Sequence, residues 1–135
     1  MSNNRVFLGG TCNNSRWRED LIEKLNHENY FNPVVDDWTE ECKQREDYEK
    51  QYCDYHLYVI TPKMSGVYSI AEAVDDSNKM HKGTLFCILY SDQGKIFTDG
   101  EIKSLQATKS IIKNNGAMVF ESLEEIAEFL NKVNL

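Results

Sequence analysis

The run Asp54-Tyr-His-Leu-Tyr-Val-Ile-Thr-Pro-Lys-Met-Ser-Gly-Val-Tyr-Ser-Ile-Ala-Glu-Ala-Val-Asp75 decides the fold. Tyr55 to Thr61 reads as a buried strand, Pro62 to Gly66 as a tight turn, and Tyr68 to about His81 as a helix ended by Lys82-Gly83. Glu72 then falls in the first turn of that helix. A carboxylate delivered to the carboxyl end of a central strand, beside a helix N-terminus, stands where open α/β sheets bind their ligands. Asp54, at the start of the strand, falls at the opposite end of the sheet and reads as structural.

On the N-terminal side, Arg5-Val-Phe-Leu-Gly9 is a short apolar run closed by Gly9-Gly10, a first strand followed by a turn with close backbone approach. Ser15 is a good N-cap, and Trp17, Leu21, Ile22 and Leu25 share one face of the helix it would open. Tyr30 to Val35 reads as a second strand that Pro33 pushes to a sheet edge. Thr39 caps a Glu, Lys, Gln and Arg-rich helix running to about Tyr52. On the C-terminal side, Thr84 to Tyr90 is an apolar strand and Ser91 to Gly100 a loop. Glu101 to Asn115 is a helix closed by Gly116. Ala117 to Phe120 is a last strand, and Ser122 caps a helix over Leu123 to Val133.

Strands that alternate with helices predict a parallel sheet covered on both faces, with five strands in the order 2-1-3-4-5. The loops after strands one, two and three then converge. They hold Gly9-Gly10-Thr11, Asp36-Asp37-Trp38 and Ser65-Gly66-Val67-Tyr68-Ser69.

A chain of 135 residues reads as a single domain over 1–135. Its net charge of −7 disfavours a nucleic-acid polymer or an anionic membrane as partner and suits a free small molecule. No apolar run has the length of a membrane span, and the polar start Met1-Ser-Asn-Asn-Arg5 is no signal-peptide core, so a cytoplasmic protein is expected. The cysteines at 12, 42, 53 and 87 lack the spacing of a zinc site, and no metal or cofactor is expected. Cys53 and Cys87 sit in apolar surroundings and read as buried and inert, whereas Cys12 falls in a loop bordering the site. The sequence has neither a Gly-x-Gly-x-x-Gly nor a Walker-type Gly-Lys-Ser/Thr motif, which disfavours dinucleotide hydride chemistry and P-loop phosphoryl transfer.

A carboxylate at the strand ends can attack an anomeric carbon and hold the sugar as an ester until an acceptor arrives. Glu72 has that placement; its other reading is a first-turn acid that complements the helix dipole. Proton transfer to a departing base asks for a second carboxylate, and Glu46 and Asp47 lie one or two turns before strand three. Both can equally belong to a solvated helix face. Trp38 and Tyr68 can stack on a planar base, or pack in a core. Asp36 can accept from ribose hydroxyls or an exocyclic amine, and Asp37 can cap the following helix. His27, His56 and His81 lack a nucleophile or metal partner at telling spacing and read as incidental.

Three segments together resemble the nucleoside 2-deoxyribosyltransferase-like family: Val6-Phe-Leu-Gly-Gly-Thr-Cys12 with Trp17-Arg18, Phe31-Asn-Pro-Val-Val-Asp-Asp-Trp38, and the Asp54 to Asp75 run. The likeness covers residues 5 to about 90, and Gly66 to Glu72 is its most specific block. It implies a flavodoxin-like three-layer sandwich and an enzyme that breaks the N-glycosidic bond of a deoxynucleoside through a glutamate nucleophile, matched by Glu72. The converging loops offer Gly9, Gly10, Thr11, Asp36, Trp38, Gly66, Tyr68 and Ser69 as substrate contacts, and the resemblance implies an acid at the end of the preceding helix, near Glu46 or Asp47. It also implies a homo-oligomer, and a nucleoside or its monophosphate as partner. The chain departs from the pattern at Gly66, where an aspartate is implied, and at Phe7, where a tyrosine is implied. Two other readings stay open: a glycohydrolase of NAD or a related ADP-ribose nucleotide, and a protein that binds a nucleotide without turning it over.

Overall fold

The computed structural model describes residues 3–79 and 83–135. Five strands, β1 (Val6–Gly10), β2 (Tyr30–Phe31), β3 (Tyr55–Ile60), β4 (Gly83–Ile88) and β7 (Met118–Phe120), run parallel in the order β2-β1-β3-β4-β7. This is the expected 2-1-3-4-5 order, with β7 as the fifth strand. Two short strands, β5 (Ser91–Asp92) and β6 (Lys95–Ile96), pair antiparallel in a separate hairpin. The helices are α1 (Trp17–Lys24), α2 (Glu40–Tyr52), α3 (Tyr68–Lys79), α4 (Asp99–Asn114) and α5 (Leu123–Val133).

Alternation along the strands divides the interior into two cores. Val6, Leu8, Leu57, Val59, Leu85 and Cys87 face one way, against Trp17 and Leu21 of α1 and Ile126 and Leu130 of α5. Tyr58, Ile60, Phe86 and Ile88 face the other, against Ala73 of α3 and Leu105 and Ile112 of α4. Strands buried on both faces need continuous apolar runs, which is why β3 and β4 read so plainly. The result is a three-layer α/β sandwich of flavodoxin-like form.

Several boundaries differ from expectation. Helix α3 begins at Tyr68, so Glu72 lies beyond the first turn, which holds no acid, and the dipole reading of Glu72 loses its basis. The predicted end of that helix at His81 and Lys82 lies outside the described residues. Residue 16, not Ser15, occupies the N-cap of α1; the Ser15 hydroxyl instead donates to Asp92 at 2.5 Å and accepts from the Trp17 amide at 3.4 Å. The second strand shortens to Tyr30–Phe31 and lies at the sheet edge, as Pro33 implies. The stretch expected as a loop over 91–100 contains the β5–β6 hairpin. It ends in a capping box in which Thr98 accepts from the Glu101 amide and Glu101 accepts from the Thr98 amide, so α4 starts two residues early.

Thr39 and Ser122 cap α2 and α5 as expected, accepting from the Cys42 and Glu125 amides. Cys53 and Cys87 are fully buried, and burial pushes the Cys87 thiol up to about 12. Cys12 is exposed. Among the described residues, no helix is long and apolar enough to cross a membrane.

Candidate active site

β1 and β3 lie side by side, Gly10 opposite Val59, so the loops that follow them open at the same edge of the sheet. Between these loops lies a cavity of about 150 Å³ whose walls include Gly10, Thr11, Cys12, Gly66, Tyr68 and Ser69. Five of the eight expected substrate-contact residues therefore meet in one place. Cys12 and Asn13 also border a wider, open depression of about 740 Å³ that reaches Val34, Val35 and Asp36 in the loop after β2. Trp38, further along that loop, is 59% exposed and lines neither. Gly9 lies inside β1; a Cβ there would come within 3.1 Å of the Tyr58 ring, so its lack of a side chain serves packing.

The loop after β1 is held from beneath. Arg18 is buried, and its guanidinium donates to three carbonyls: Leu8 at 3.0 Å, Gly10 at 3.2 Å and Thr11 at 2.7 Å. Desolvation lowers its pKa from the ordinary arginine value. The Trp17 indole N–H donates to the same Thr11 carbonyl at 2.8 Å, and the Thr11 hydroxyl accepts from the Thr61 amide at 3.0 Å. Thr11 thus ties the β1 loop to the β3 loop. Asp92 of the hairpin adds a third tie, accepting from Ser15 at 2.5 Å and Thr61 at 2.7 Å.

Glu72 lies one turn along α3 from Tyr68, on the same face. Its carboxylate Oε2 is 2.8 Å from the ammonium of Lys50 on α2. That ammonium is 3.6 Å from Glu46 Oε1 and 5.5 Å from the centre of the Phe7 ring. All three charged side chains are largely shielded, with Glu72 at 20%, Glu46 at 24% and Lys50 at 29% exposure. Burial works against the Lys50 charge, but the Glu72 hydrogen bond and the charges of Glu72 and Glu46 outweigh it and hold its pKa above the ordinary lysine value. Asp47, the other candidate acid, is exposed on α2. Of the two, Glu46 is brought to Glu72, through Lys50.

A family model for the nucleoside 2-deoxyribosyltransferase-like proteins matches residues 3–89, which span β1 to β4 and include Glu46, Lys50, Glu72 and every wall of the smaller cavity. The chain belongs to this family. No curated protein and no solved structure matches it. The hairpin, α4, β7 and α5 fall beyond the matched span of this nucleoside 2-deoxyribosyltransferase-like chain.

A further cluster forms around His56, which by sequence spacing alone reads as incidental. His56 is buried; its Nε2 donates to the Lys50 carbonyl at 2.7 Å, and its Nδ1 is 2.9 Å from Asp76 Oδ2. The Tyr58 hydroxyl donates to the same Asp76 oxygen. Burial opposes the Asp76 charge, but the hydrogen bonds from His56 and Tyr58 prevail and lower its pKa. Burial first, and then Asp76, push the Tyr58 phenol upward. His56 and Tyr58 are two apart on β3 and so share a face, and Asp76 is four residues after Glu72 on α3; those spacings were the available signal. His27 is different, accepting only a local amide from Asn29 at 3.0 Å. His81 lies outside the described residues. Among the described residues, no group of three or more His, Cys, Asp or Glu side chains could hold a metal ion.

Proposed function

We propose that this chain, acting as one domain over residues 1–135, cleaves the N-glycosidic bond of a nucleoside, deoxynucleoside or monophosphate, with Glu72 as nucleophile. The observation that carries this reading is the convergence of Glu72 and Glu46 on one ammonium, with Glu72 one helical turn from Tyr68, a residue in the wall of the cavity between the loops after β1 and β3. In the first step a Glu72 oxygen bonds to C1′ and the C1′–N electron pair leaves with the base, which takes a proton from Glu46 in its acid form. In the second, a base or water attacks C1′, the C1′–O pair returns to Glu72, and the acceptor's proton goes back to Glu46. Gly10, Thr11, Gly66, Tyr68 and Ser69 form the pocket wall for the sugar, with Asp36 and Trp38 on the base side and Gly9 supporting from within the strand. Tyr68 is 73% exposed and Val67 67% exposed, leaving an apolar rim for the base or for a second copy of the chain.

The test is chromatography of a panel of deoxynucleosides and their monophosphates, with and without an acceptor base, for wild type and Glu72→Ala. Base exchange or free-sugar release that vanishes in the variant is expected. Full turnover by Glu72→Ala would sink the assignment. Gly66, with open space about it, stands where the family resemblance implies an aspartate, so the base and the donor stay open. NAD therefore belongs in the panel. Nicotinamide release without deoxynucleoside turnover would move the reading to a glycohydrolase, and a ligand bound but recovered intact would make this a binding protein.

A further inference from the structure

We infer that Lys50 is a positioning residue for this reaction: its ammonium holds one oxygen of Glu72 and stays paired while negative charge passes from Glu72 to Glu46 and back. This rests on the function proposed above. No sequence pattern marks Lys50, which reads as one more cation on a charged helix.

Its surroundings are not those of a surface lysine. The side chain is fixed at 2.8 Å to Glu72 and stands 3.6 Å from Glu46, over the face of Phe7. Its own backbone carbonyl is gripped by His56 at 2.7 Å, and His56 in turn holds Asp76, one turn beyond Glu72 on α3. Lys50 is thus tied to α3 twice, through its side chain and through its main chain. An ordinary exposed ion pair has neither constraint and contributes little.

The charge count gives the arrangement its use. In the form that can react, Glu72 is a carboxylate, Glu46 has taken up a proton and Lys50 is an ammonium, so the three sum to zero. When Glu72 Oε1 bonds to C1′ and the C1′–N pair departs with the base, Glu72 becomes a neutral ester. Glu46 has then given its proton to the base and is a carboxylate. The sum is again zero, and the ammonium has exchanged its 2.8 Å partner for the one at 3.6 Å without leaving its place. The second step reverses the exchange. A fixed cation between the two carboxylates acts where charge develops in each transition state, and needs no rearrangement of solvent. Holding Oε2 also leaves Oε1 as the free nucleophilic oxygen.

The test compares wild type, Lys50→Met and Lys50→Arg on a donor for which Glu72→Ala has been shown inactive, with folding of each variant checked by circular dichroism. The expected result for Lys50→Met is a kcat lower by about 100-fold with KM changed less than about threefold, because the negative charge that passes to Glu46 would then arise without a cation beside it. Lys50→Arg, which keeps the charge, should recover at least about tenfold of that loss. If Lys50→Met fails to fold, Lys50→Gln reads the same quantity through a polar neutral side chain. A kcat within about threefold of wild type in the neutral variant, or an arginine variant no better than the methionine one, would overturn the inference while leaving Glu72 as nucleophile. Turnover by Glu72→Ala would instead overturn the proposed function itself.

Discussion

His56 on β3 holds Asp76 on α3 at 2.9 Å, Nδ1 to Oδ2, while its other ring nitrogen donates to the Lys50 carbonyl on α2 at 2.7 Å. A carbonyl only accepts, so the ring nitrogen facing Lys50 carries a proton, and the other ring nitrogen faces the carboxylate. One buried side chain therefore joins the two helices that carry the candidate site. Replacing His56 with Ala leaves Asp76 with the Tyr58 hydroxyl as its only side-chain donor from β3 and frees the last turn of α2. The expected loss is about 2–4 kcal/mol of unfolding free energy, toward the lower end because the Asp76 side chain keeps some contact with water. Urea denaturation of His56→Ala and Asp76→Asn measures it, with the double variant supplying the coupling. A loss within about 0.5 kcal/mol would show that packing, and not this bridge, holds α2 and α3 together.

Acid should weaken the fold through two carboxylates. Asp76 is lowered against the opposing effect of burial by His56 and Tyr58, and Glu49 against burial by Arg5, at 2.7 Å, and Arg45, at 3.1 Å. For each, the folded pKa lies below the unfolded value, so the native state binds fewer protons. Their stabilisation is then complete above about pH 5 and is lost as pH falls through the depressed folded values. Wild-type stability measured by denaturant titration from pH 6 down to pH 3 should decline, and Asp76→Asn should decline less steeply from a lower starting point. Parallel slopes for the two proteins would mean that Asp76 gains no such stabilisation on folding.

The architecture was legible because its strands obey simple patterns. β3 and β4 are apolar on both faces, the caps Thr39 and Ser122 are conventional, and Pro33 marks an edge. The hairpin over 91–96 was missed because two-residue strands are too short to show periodicity, and its Gln93-Gly94 turn lies between stretches that read as loop. The site was legible in part. Gly66, Tyr68 and Ser69 of the cavity wall stand out in the sequence because a turn feeding a helix is visible in one dimension. Lys50, His56 and Asp76 were not, because their meaning depends on α2 and α3 packing against the same face of β3. The role of Arg18 is not visible in the sequence, because it depends on the end of β1 and the start of its loop bringing the Leu8, Gly10 and Thr11 carbonyls to one guanidinium.

Two glycines of the site should respond oppositely to the same change. Gly10 has φ +116°, and a Cβ there would meet the Val59 carbonyl oxygen at 2.3 Å and its amide nitrogen at 2.6 Å. Those atoms belong to the neighbouring strand and cannot turn aside as a flexible side chain does. Gly10→Ala should therefore cost at least about 2 kcal/mol, combining backbone strain with the separation of β1 from β3 at the mouth of the cavity. At Gly66 a Cβ meets nothing within 4 Å, and φ lies outside the left-handed region. Gly66→Ala should stay within about 0.5 kcal/mol of wild type. Gly66→Asp, which supplies the carboxylate that the family resemblance implies there, should fold equally well and place a new acceptor at the cavity wall. Thermal unfolding of the three variants, followed by the donor panel for the two at Gly66, checks the contrast. Unfolding of Gly66→Asp near the wild-type temperature together with a changed preference among bases would assign this turn to base recognition. An unchanged preference would leave that task to the Asp36 and Trp38 loop.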